Sequence, residues 1–316
     1  MKRIMTTVEP VKSIKVIWTT LFFILLPLCE SWAQVTSAVQ TTTARSTAVA
    51  SSNIAWGNSA DLLFSNPALL AEFKGIGLIA GYQNLFSQSF LNHSIAGVAY
   101  DSGKMLGNFG LTTTSLNTTS GASSLASETA IGLHYGAFLM KDRLSSLALG
   151  ATVNILQISY GKSAGLSGDG SDGVDLGSTT EMGIDIGLVA SLGKKHRAAV
   201  LVKNINEPAI GSAGTITPLP QVLIGGFAYS PVEEVTTTFS LNYISGYPVE
   251  FHGGLEYRLN THYSILTGLQ SQPNRLSAGM KINTKGITME YGVITHPVLP
   301  LTHAISLSVH LKGFSK

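Results

Sequence analysis

Residues 249–258 read VEFHGGLEYR, and their polarity alternates from one position to the next. The odd positions are Val, Phe, Gly, Leu and Tyr, and the even positions are Glu, His, Gly, Glu and Arg. Successive side chains of a strand point to opposite faces, so this pattern predicts a strand with one apolar and one charged face. A soluble β-sandwich would bury the apolar face, whereas a transmembrane barrel would turn it to lipid and the charged face to the lumen.

The composition favours the barrel. The 316 residues are 44% hydrophobic and 12% charged, about half of the usual charged fraction of soluble domains. No apolar run reaches the ~18 residues that a membrane-spanning helix needs. An apolar chain without such helices is typical of a barrel, because alternation dilutes the hydrophobicity of each strand.

Strand-like segments follow one another from residue 73 to the end of the chain, which predicts an all-β, antiparallel transmembrane barrel of about 14 strands. An even number is typical of bacterial outer-membrane barrels, and ~9–11 residues suffice to cross the bilayer. The predicted strands are 73–84, 92–101, 105–115, 127–140, 143–159, 178–192, 196–205, 220–230, 234–244, 248–259, 262–271, 274–283, 286–295 and 302–312.

One tight turn allows a prediction of register. A turn at residues 283–286 would place Ile282 opposite Ile287 and keep the faces matched. Lys281 and Glu290 would then lie diagonally on the inner face.

Two long segments rich in Gly, Ser, Asp or Pro, at 160–177 and 206–219, are expected to be extracellular loops. A soluble sandwich remains the alternative, but it would need fewer strands or two domains. No linker-like change of composition divides the chain after its N-terminal segment.

Residues 1–33 have the pattern of a secretory signal peptide, with a basic start and a thirteen-residue apolar core at Val16–Leu28. Ser31-Trp32-Ala33 is a small-x-small cleavage site, so Gln34 is the expected mature N-terminus. A lipoprotein site at Cys29 and an uncleaved anchor are the alternatives.

Cleavage would remove the only cysteine and therefore exclude a disulfide framework. It would take four of the 20 basic and two of the 18 acidic residues, leaving 16 of each. This balance gives no support to nucleic-acid binding.

The segment 34–72 is expected to enter the lumen ahead of a barrel domain at 73–316. Residues 34–53, rich in Thr, Ser and Ala, are expected to form an extended or loosely ordered lead-in. Asn66 can cap a short helix that Pro67 opens. The candidate residues for a lumen plug or an apolar ligand pocket are Leu62, Leu63, Phe64, Asn66, Pro67, Leu69 and Leu70.

Three stretches carry a family resemblance. Residues 59–71 fit Ser-Ala-Asp-x4-Asn-Pro-Ala-x-Leu-Ala, and this segment resembles the one before the first strand of FadL-like barrels and of the PorV/PorQ group. The succession from 183 to 229 and the C-terminal stretch 276–307 are similar to the middle and the end of PorV/PorQ-type proteins. The chain departs from that pattern at Glu290, where Asp is expected, and at Gly292, where Ala is expected.

The resemblance implies an outer-membrane barrel with a segment folded into its lumen. It also implies either a role beside type IX protein secretion, as for PorV, or passage of hydrophobic small molecules, as for FadL.

Charged side chains concentrate on the predicted inner face. Lipid-facing charge at mid-bilayer would cost about 2–4 kcal/mol, so this restriction to one face supports the topology. Two interpretations stand: the charges neutralise one another and anchor the plug, or some of them line a substrate path. The set is Asp185, Arg197, Lys203, Glu250, His252, Glu256, Arg258, Arg275, Lys281 and Glu290.

Signals for metal binding or catalysis are weak. Asp169, Asp172 and Asp175 stand three residues apart in a Gly-rich loop and could hold calcium, but a solvated turn explains them as well. No zinc spacing and no Gly-x-Ser-x-Gly elbow occurs. We therefore predict no cofactor and no enzyme activity, with a hydrolase on the barrel exterior as the only enzymatic alternative.

Three functional hypotheses follow. The first is an accessory of protein export, whose partners would be secreted proteins or secretion-system components. The second is a FadL-like channel for a hydrophobic small molecule. The third is a plugged structural barrel without a ligand. All three place the protein in outer-membrane lipid.

Overall fold

The computed structural model describes residues 42–103, 107–120, 123–163, 165–168, 172–193, 195–212 and 215–311. The expected signal peptide with Cys29, and the first residues of the lead-in, lie outside the described residues. Within the described part no helix is both long and apolar enough to span a bilayer.

Fourteen antiparallel strands close into a barrel, which confirms the predicted fold class. Going round the barrel, the order is β1-β2-β3-β4-β5-β6-β7-β10-β11-β12-β13-β14-β15-β16, and β16 pairs again with β1. The strands are β1 (Ile76–Asn84), β2 (Leu91–Tyr100), β3 (Asn108–Ser120), β4 (Ser123–Lys141), β5 (Ser145–Tyr160), β6 (Ser178–Leu192), β7 (His196–Lys203), β8 (Ala209–Ser212), β9 (Thr215–Pro218), β10 (Val222–Val232), β11 (Val235–Ile244), β12 (Glu250–Arg258), β13 (Tyr263–Gln270), β14 (Arg275–Thr284), β15 (Ile287–Ile294) and β16 (Thr302–Leu311).

The faces of β12 are as its sequence predicts. Glu250 and His252 are 4% and 1% exposed, while Phe251 and Tyr257 are 47% and 46% exposed. The same alternation gives the barrel an apolar exterior and a polar interior. This is the arrangement of a transmembrane barrel and the reverse of a soluble sandwich.

The two ends of the barrel differ. The connections after β2, β4, β6, β10, β12 and β14 lie at one end, here called the turn end, where β1 starts and β16 finishes. The longest connections, 161–177 and 204–221, lie at the opposite end, here called the loop end. The second of these contains the separate hairpin β8–β9, where the sequence pattern predicts only a loop.

Strands β3 to β6 are longer than the others, and their outward face changes character along its length. Near mid-barrel the paired outward residues are Leu111 and Leu133, which are 52% and 60% exposed. Towards the loop end the outward row is Asn117, Ser127 and Ser159, which pair in register. A polar outward row is incompatible with lipid, so this part of β3–β6 projects beyond the apolar band.

The predicted register of the last tight turn is wrong by two residues. The turn consists of Lys285 and Gly286, with φ values of 48° and 87°. Thr284 pairs with Ile287, and Lys281 lies directly opposite Glu290 rather than diagonal to it. Positive φ at both central residues is typical of the two-residue type I′ hairpin, whose twist matches that of the strands. A slip of two preserves the faces, which is why the alternation could not detect it.

Residues 42–73 fold inside the barrel and are called the plug below. The plug holds helix α1 (Ala44–Ala48) and short 3-10 helices at Asn53–Ala55, Ala60–Phe64 and Pro67–Glu72. The expected loose lead-in is thus wrong for its described part, since α1 is buried throughout. Asn66 caps the last of these helices by accepting a hydrogen bond from the Ala68 amide, as predicted.

Candidate functional site

Glycines on the inward face let the plug lie directly against the barrel wall. Gly136, Gly150 and Gly187 pair in register across β4, β5 and β6. A Cβ atom at Gly136 would lie 2.7 Å from the Pro67 carbonyl oxygen, and one at Gly150 would overlap the backbone beside it. These contacts are closer than a side chain tolerates, so the plug occupies the space that side chains would fill.

Opposite this row a second set of inward glycines receives the first part of the plug. Gly254 pairs with Gly268, and Gly279 pairs with Gly292. A Cβ at any of them would collide with plug atoms between residues 44 and 52. The plug is therefore seated on two sides of the barrel.

Hydrogen bonds fix the first plug stretch, residues 43–56, to the C-terminal strands. The Ala44 amide donates to Ser306 Oγ at 2.9 Å, and Ser277 Oγ donates to the Ala48 carbonyl at 2.8 Å. His252 Nδ1 lies 2.6 Å from the Ala50 carbonyl oxygen. Buried backbone groups of the plug thus find their partners in the wall.

A buried ionic cluster joins the same stretch to β12, β14 and β15. Arg45 Nη2 lies 2.6 Å from Glu256 Oε2, and Arg45 Nη1 lies 3.6 Å from Asp61 Oδ2. Lys281 Nζ lies 3.7 Å from both Glu256 and Glu290. Three carboxylates and two cations thus share an interior where each charge needs a partner.

The second plug stretch, residues 66–73, is fixed to β3, β6 and β7. Asn108 Nδ2 donates to the carbonyls of Leu70 and Phe73 at 2.7 and 2.9 Å. Arg197 Nη1 lies 2.7 Å from Glu72 Oε2, and its guanidinium lies 4.8 Å from the centre of the Trp56 ring.

Between these two stretches runs Asn58–Ser65, here called the strap. Its amides at Leu62 and Ser65 donate to carbonyls inside the strap, at 3.2 and 3.1 Å. Its polar attachment is through side chains: Asn58 Oδ1 accepts from both Arg45 and Lys281 at 3.1 Å, and Asp61 pairs with Arg45. The stretches on either side are held by hydrogen bonds between their backbone and side chains of the wall. In the described part of the chain, the strap backbone has no such bond.

A cavity of about 230 Å³ lies on the loop-end side of the strap. Its floor is Leu63, Phe64 and Pro67 of the plug, and Leu116 and Ile158 line it from the long strands β3 and β5. This cavity is called the loop-end cavity. Its apolar floor and upper wall could hold an apolar molecule.

One wall of the loop-end cavity is polar and internally bonded. The ring nitrogens of His134 lie 2.8 Å from Thr112 Oγ1 and 2.9 Å from Thr152 Oγ1. Asp185 accepts from the Asn154 side chain and the Asn204 amide, both at 2.9 Å. These polar groups satisfy one another's hydrogen bonds, so the apolar surface of the cavity is the part left for a ligand.

A second cavity, of about 500 Å³, lies on the turn-end side of the strap and is called the turn-end cavity. Strap residues Asn58, Ser59 and Ala60 form one side. Hairpin β14–β15 and strands β1 and β16 form the others. The strap thus has one cavity on each side.

The predicted pocket residues separate into two groups. Leu63, Phe64 and Pro67 line the loop-end cavity. Leu62, Leu69 and Leu70 are at most 1% exposed and belong to the apolar core between plug and wall, while Asn66 caps its helix.

The predicted lumen charges also differ in position. Arg197, His252, Glu256 and Lys281 contact the plug. Glu250 lies 3.2 Å from His252, and Glu290 lies 3.7 Å from Lys281. Asp185 and Lys203 line the loop-end cavity, Arg275 is half-buried at the loop end of β14, and Arg258 is exposed at the turn end.

The candidate calcium residues are engaged in local turns as far as they are described. Asp172 accepts hydrogen bonds from Ser167 and Leu166, and those from the Ser167 side chain and amide lower the pKa of its exposed carboxyl. Asp175 accepts from the Gly177 amide at 2.9 Å, and Asp169 lies outside the described residues. The described residues contain no group of three side chains placed to hold a metal ion.

Arg45 and Asp61 are central to the ionic cluster, but the site residues predicted from the sequence do not include them. Arg45 is the only charged residue in the Thr-, Ser- and Ala-rich segment 34–53, and an isolated charge in such a segment was the available signal. Asp61 lies within the Ser-Ala-Asp motif, where its role depends on a partner that only the fold brings near.

Comparison with known proteins gives fold-level likeness. No protein-family model and no curated protein matches the chain. Among solved structures, the CymD monoaromatic hydrocarbon channel is similar with a TM-score of 0.62 at 11% identity, over 88% of this chain and 100% of that one. The Pseudomonas putida toluene transporter TodX gives 0.60 at 11% identity, over 86% and 99%. A Pseudomonas aeruginosa FadL homologue gives 0.56 at 10% identity, over 86% and 98%.

Proposed function

We propose that this protein is an outer-membrane barrel that admits a small apolar molecule into the loop-end cavity and passes it beyond the strap. Short turns face the periplasm and long loops face outward in barrels of this kind, so the loop end is extracellular and the turn end periplasmic. The apolar exterior faces lipid, and the polar end of β3–β6 stands in the medium.

One observation carries the proposal: cavities lie on both sides of the strap, and the strap is the plug segment without backbone bonds to the wall. A molecule can therefore move between the cavities if Asn58–Ser65 shifts while the stretches on either side stay seated. The loop-end cavity offers an apolar floor at Leu63 and Phe64 for the entering molecule.

The comparisons support this candidate over the export role. CymD and TodX are described as a monoaromatic hydrocarbon channel and a toluene transporter, and they share the barrel fold over most of this chain. The loop-end cavity, of about 230 Å³, suits a molecule of about the size of toluene.

The test uses a disulfide that locks the strap. A Cβ at Gly77 would lie 3.2 Å from Ala60 Cβ, slightly inside the ~3.5–4.5 Å of disulfides, after the tip of the Phe73 ring shifts. Cells of a Gram-negative host expressing wild type or A60C/G77C are given N-phenylnaphthylamine, a dye that fluoresces in apolar surroundings and enters slowly through an intact outer membrane.

We expect faster dye entry with wild type than with empty vector, slow entry with oxidised A60C/G77C, and recovery after reduction. Wild type under both redox treatments is the matched control. Dye entry with wild type equal to that with empty vector would contradict the channel. Dye entry with A60C/G77C that does not change on oxidation would contradict passage across the strap.

A second candidate is the export accessory of the PorV/PorQ type. The observation that favours it is a set of exposed apolar side chains in the loops at the loop end: Leu166 is fully exposed, and Val174 and Val298 are 70% and 80% exposed. Exposed apolar loop residues suit a protein partner.

This candidate predicts that secreted proteins co-purify with the barrel from gently solubilised outer membranes, and that L166S/V174S/V298S loses them. A bound apolar molecule without a protein partner would contradict it.

A further inference from the structure

The turn-end cavity has a charge composition of its own. Its charged or chargeable lining residues are Lys281, Lys285 and His310, and no Asp or Glu lines it among the described residues. The loop-end cavity differs, because Glu128 and Asp185 line it together with Lys203. The two cavities therefore favour different ligands.

Neutral hydrogen-bond donors surround these basic side chains. Thr288 and Ser308 contribute hydroxyls from β15 and β16, and Asn283 contributes an amide at the mouth. Ser308 is 4% exposed, and its buried Oγ lacks a hydrogen-bond partner among the described residues. An unpartnered buried hydroxyl on a cavity wall is a costly arrangement unless a ligand or water completes it.

The basic lining residues without a carboxylate partner in the described structure lie at the mouth. Lys281 lies 3.7 Å from both Glu256 and Glu290, which offset its charge. Lys285 is exposed in the β14–β15 turn, and neither Lys285 nor His310 forms an ion pair within the described structure. Their donors are thus free to bind an incoming group.

We infer that the turn-end cavity is a binding site for a small anion whose acceptor oxygens are those of a carboxylate or a phosphate. Lys285 and His310 meet the anion at the mouth, and Ser308 and Thr288 donate to it at the wall. The cavity, of about 500 Å³, is within the range of small-molecule sites. This site is separate from the apolar loop-end cavity and goes beyond the proposed channel function.

The anion could be a free solute of the periplasm or the headgroup of a phospholipid in the adjacent leaflet. Both present the same oxygens to the same donors. The experiment therefore includes both sources.

The test is calorimetric titration of the purified full-length barrel in a non-ionic detergent at low salt. The probes are inorganic phosphate, benzoate and a short-chain phosphatidylglycerol below its critical micelle concentration. The variants are K285Q, S308A and the double K285Q/S308A. The matched control is K195Q, which removes an exposed lysine at the same end of the barrel, in the β6–β7 turn outside the cavity.

We expect saturable binding of at least one probe, weakened roughly tenfold by K285Q/S308A and unchanged by K195Q. Binding of phosphate or benzoate identifies a site for free anions, and binding of the phospholipid alone identifies a headgroup site. No saturable binding of any probe, or equal weakening by K195Q, would overturn the inference. K285Q changes an exposed turn residue, and S308A removes only a hydroxyl that has no hydrogen-bond partner among the described residues, so the folded barrel is retained for the measurement.

Discussion

The guanidinium of Arg45 lies 2.6 Å from the carboxylate of Glu256, across 211 positions of sequence. Arg45 is 1% exposed, and its charge also meets Asp61. The pair therefore joins the first helix of the plug to a wall strand where water does not compensate either charge.

Replacing Glu256 by Gln should destabilise the plug strongly, because Asp61, at 3.6 Å, would be the one carboxylate left within 4 Å of Arg45 among the described residues. Removing one member of a buried pair typically costs about 3–5 kcal/mol. Thermal unfolding in detergent should show a lower transition temperature. K195Q, which removes an exposed charge in the β6–β7 turn away from the cluster, should leave the transition unchanged, and R45M/E256M should be less harmful than E256Q. A neutral E256Q would mean that the cluster does not hold the plug.

Valine at Gly150 should prevent the plug from seating. Its side chain would occupy the position of the plug backbone near Ala68, and overpacking of this kind costs about 1–3 kcal/mol or more. The closed barrel should still form, because β5 keeps its pairing on both sides. Planar-bilayer recordings should show a larger conductance than for wild type.

The matched control is G225V, since a Cβ at Gly225 meets nothing within 4 Å. Equal conductance of the two variants would argue against the glycine row as the seat of the plug.

The strap should exchange its amide hydrogens faster than the stretches on either side. Wall side chains hold the backbone of residues 43–56 and 66–73, for example at the Ala44 amide and the Leu70 carbonyl, whereas the strap backbone has no such bond among the described residues. Local opening should therefore be easier there, with rates roughly tenfold higher. N58A, which removes the acceptor shared by Arg45 and Lys281, should increase the difference. Uniform protection across 43–73 would exclude a separately moving strap.

The loop 295–301 should loosen in acid. Partial burial, and secondarily the charge of Arg275, lowers the pKa of His296. Its Nδ1 accepts hydrogen bonds from the Val298 and Leu299 amides, which protonation would prevent. Because the group has a lower pKa in the folded loop, its stabilising effect is complete above about pH 6.5 and is lost as pH falls below that value.

Limited proteolysis at Val298 between pH 8 and pH 5 measures this loosening. H296N keeps an acceptor that does not titrate in this range, so its cleavage should not change with pH. Identical pH profiles for wild type and H296N would assign the effect to other groups.

Much of the fold follows from the sequence because alternation reports which face of a strand is apolar. The predicted strands and the 14 of the barrel agree closely, as in 178–192 and 302–312 against Ser178–Leu192 and Thr302–Leu311. Register is less accessible, since a slip of two at Lys285–Gly286 leaves every face unchanged. Strands β3 and β4 extend beyond their predicted loop ends, because the residues there are mainly Ser, Thr and Asn, which do not mark an apolar face.

The candidate site was predictable only in part. Leu63 and Phe64 belong to an apolar run beside the Asn-Pro-Ala motif, which pointed to the plug. The inward glycines are visible in the sequence, but their role depends on which backbone faces them across the lumen. The turn-end cavity combines residues 58–60, 281–288 and 308–310, which no local pattern relates.

Helix α1 also bears on how the barrel is assembled. Gln83 of β1 donates to Thr47 at 2.8 Å, and Ser306 of β16 accepts from the Ala44 amide. These are the two strands whose pairing closes the barrel, so α1 spans the seam from inside. Because β16 follows the other strands of the barrel along the chain, the bond from the Ala44 amide can form only after Ser306 has been synthesised. A chain truncated before Ser306 would therefore lack both the seam and the hydrogen bond that holds the start of α1.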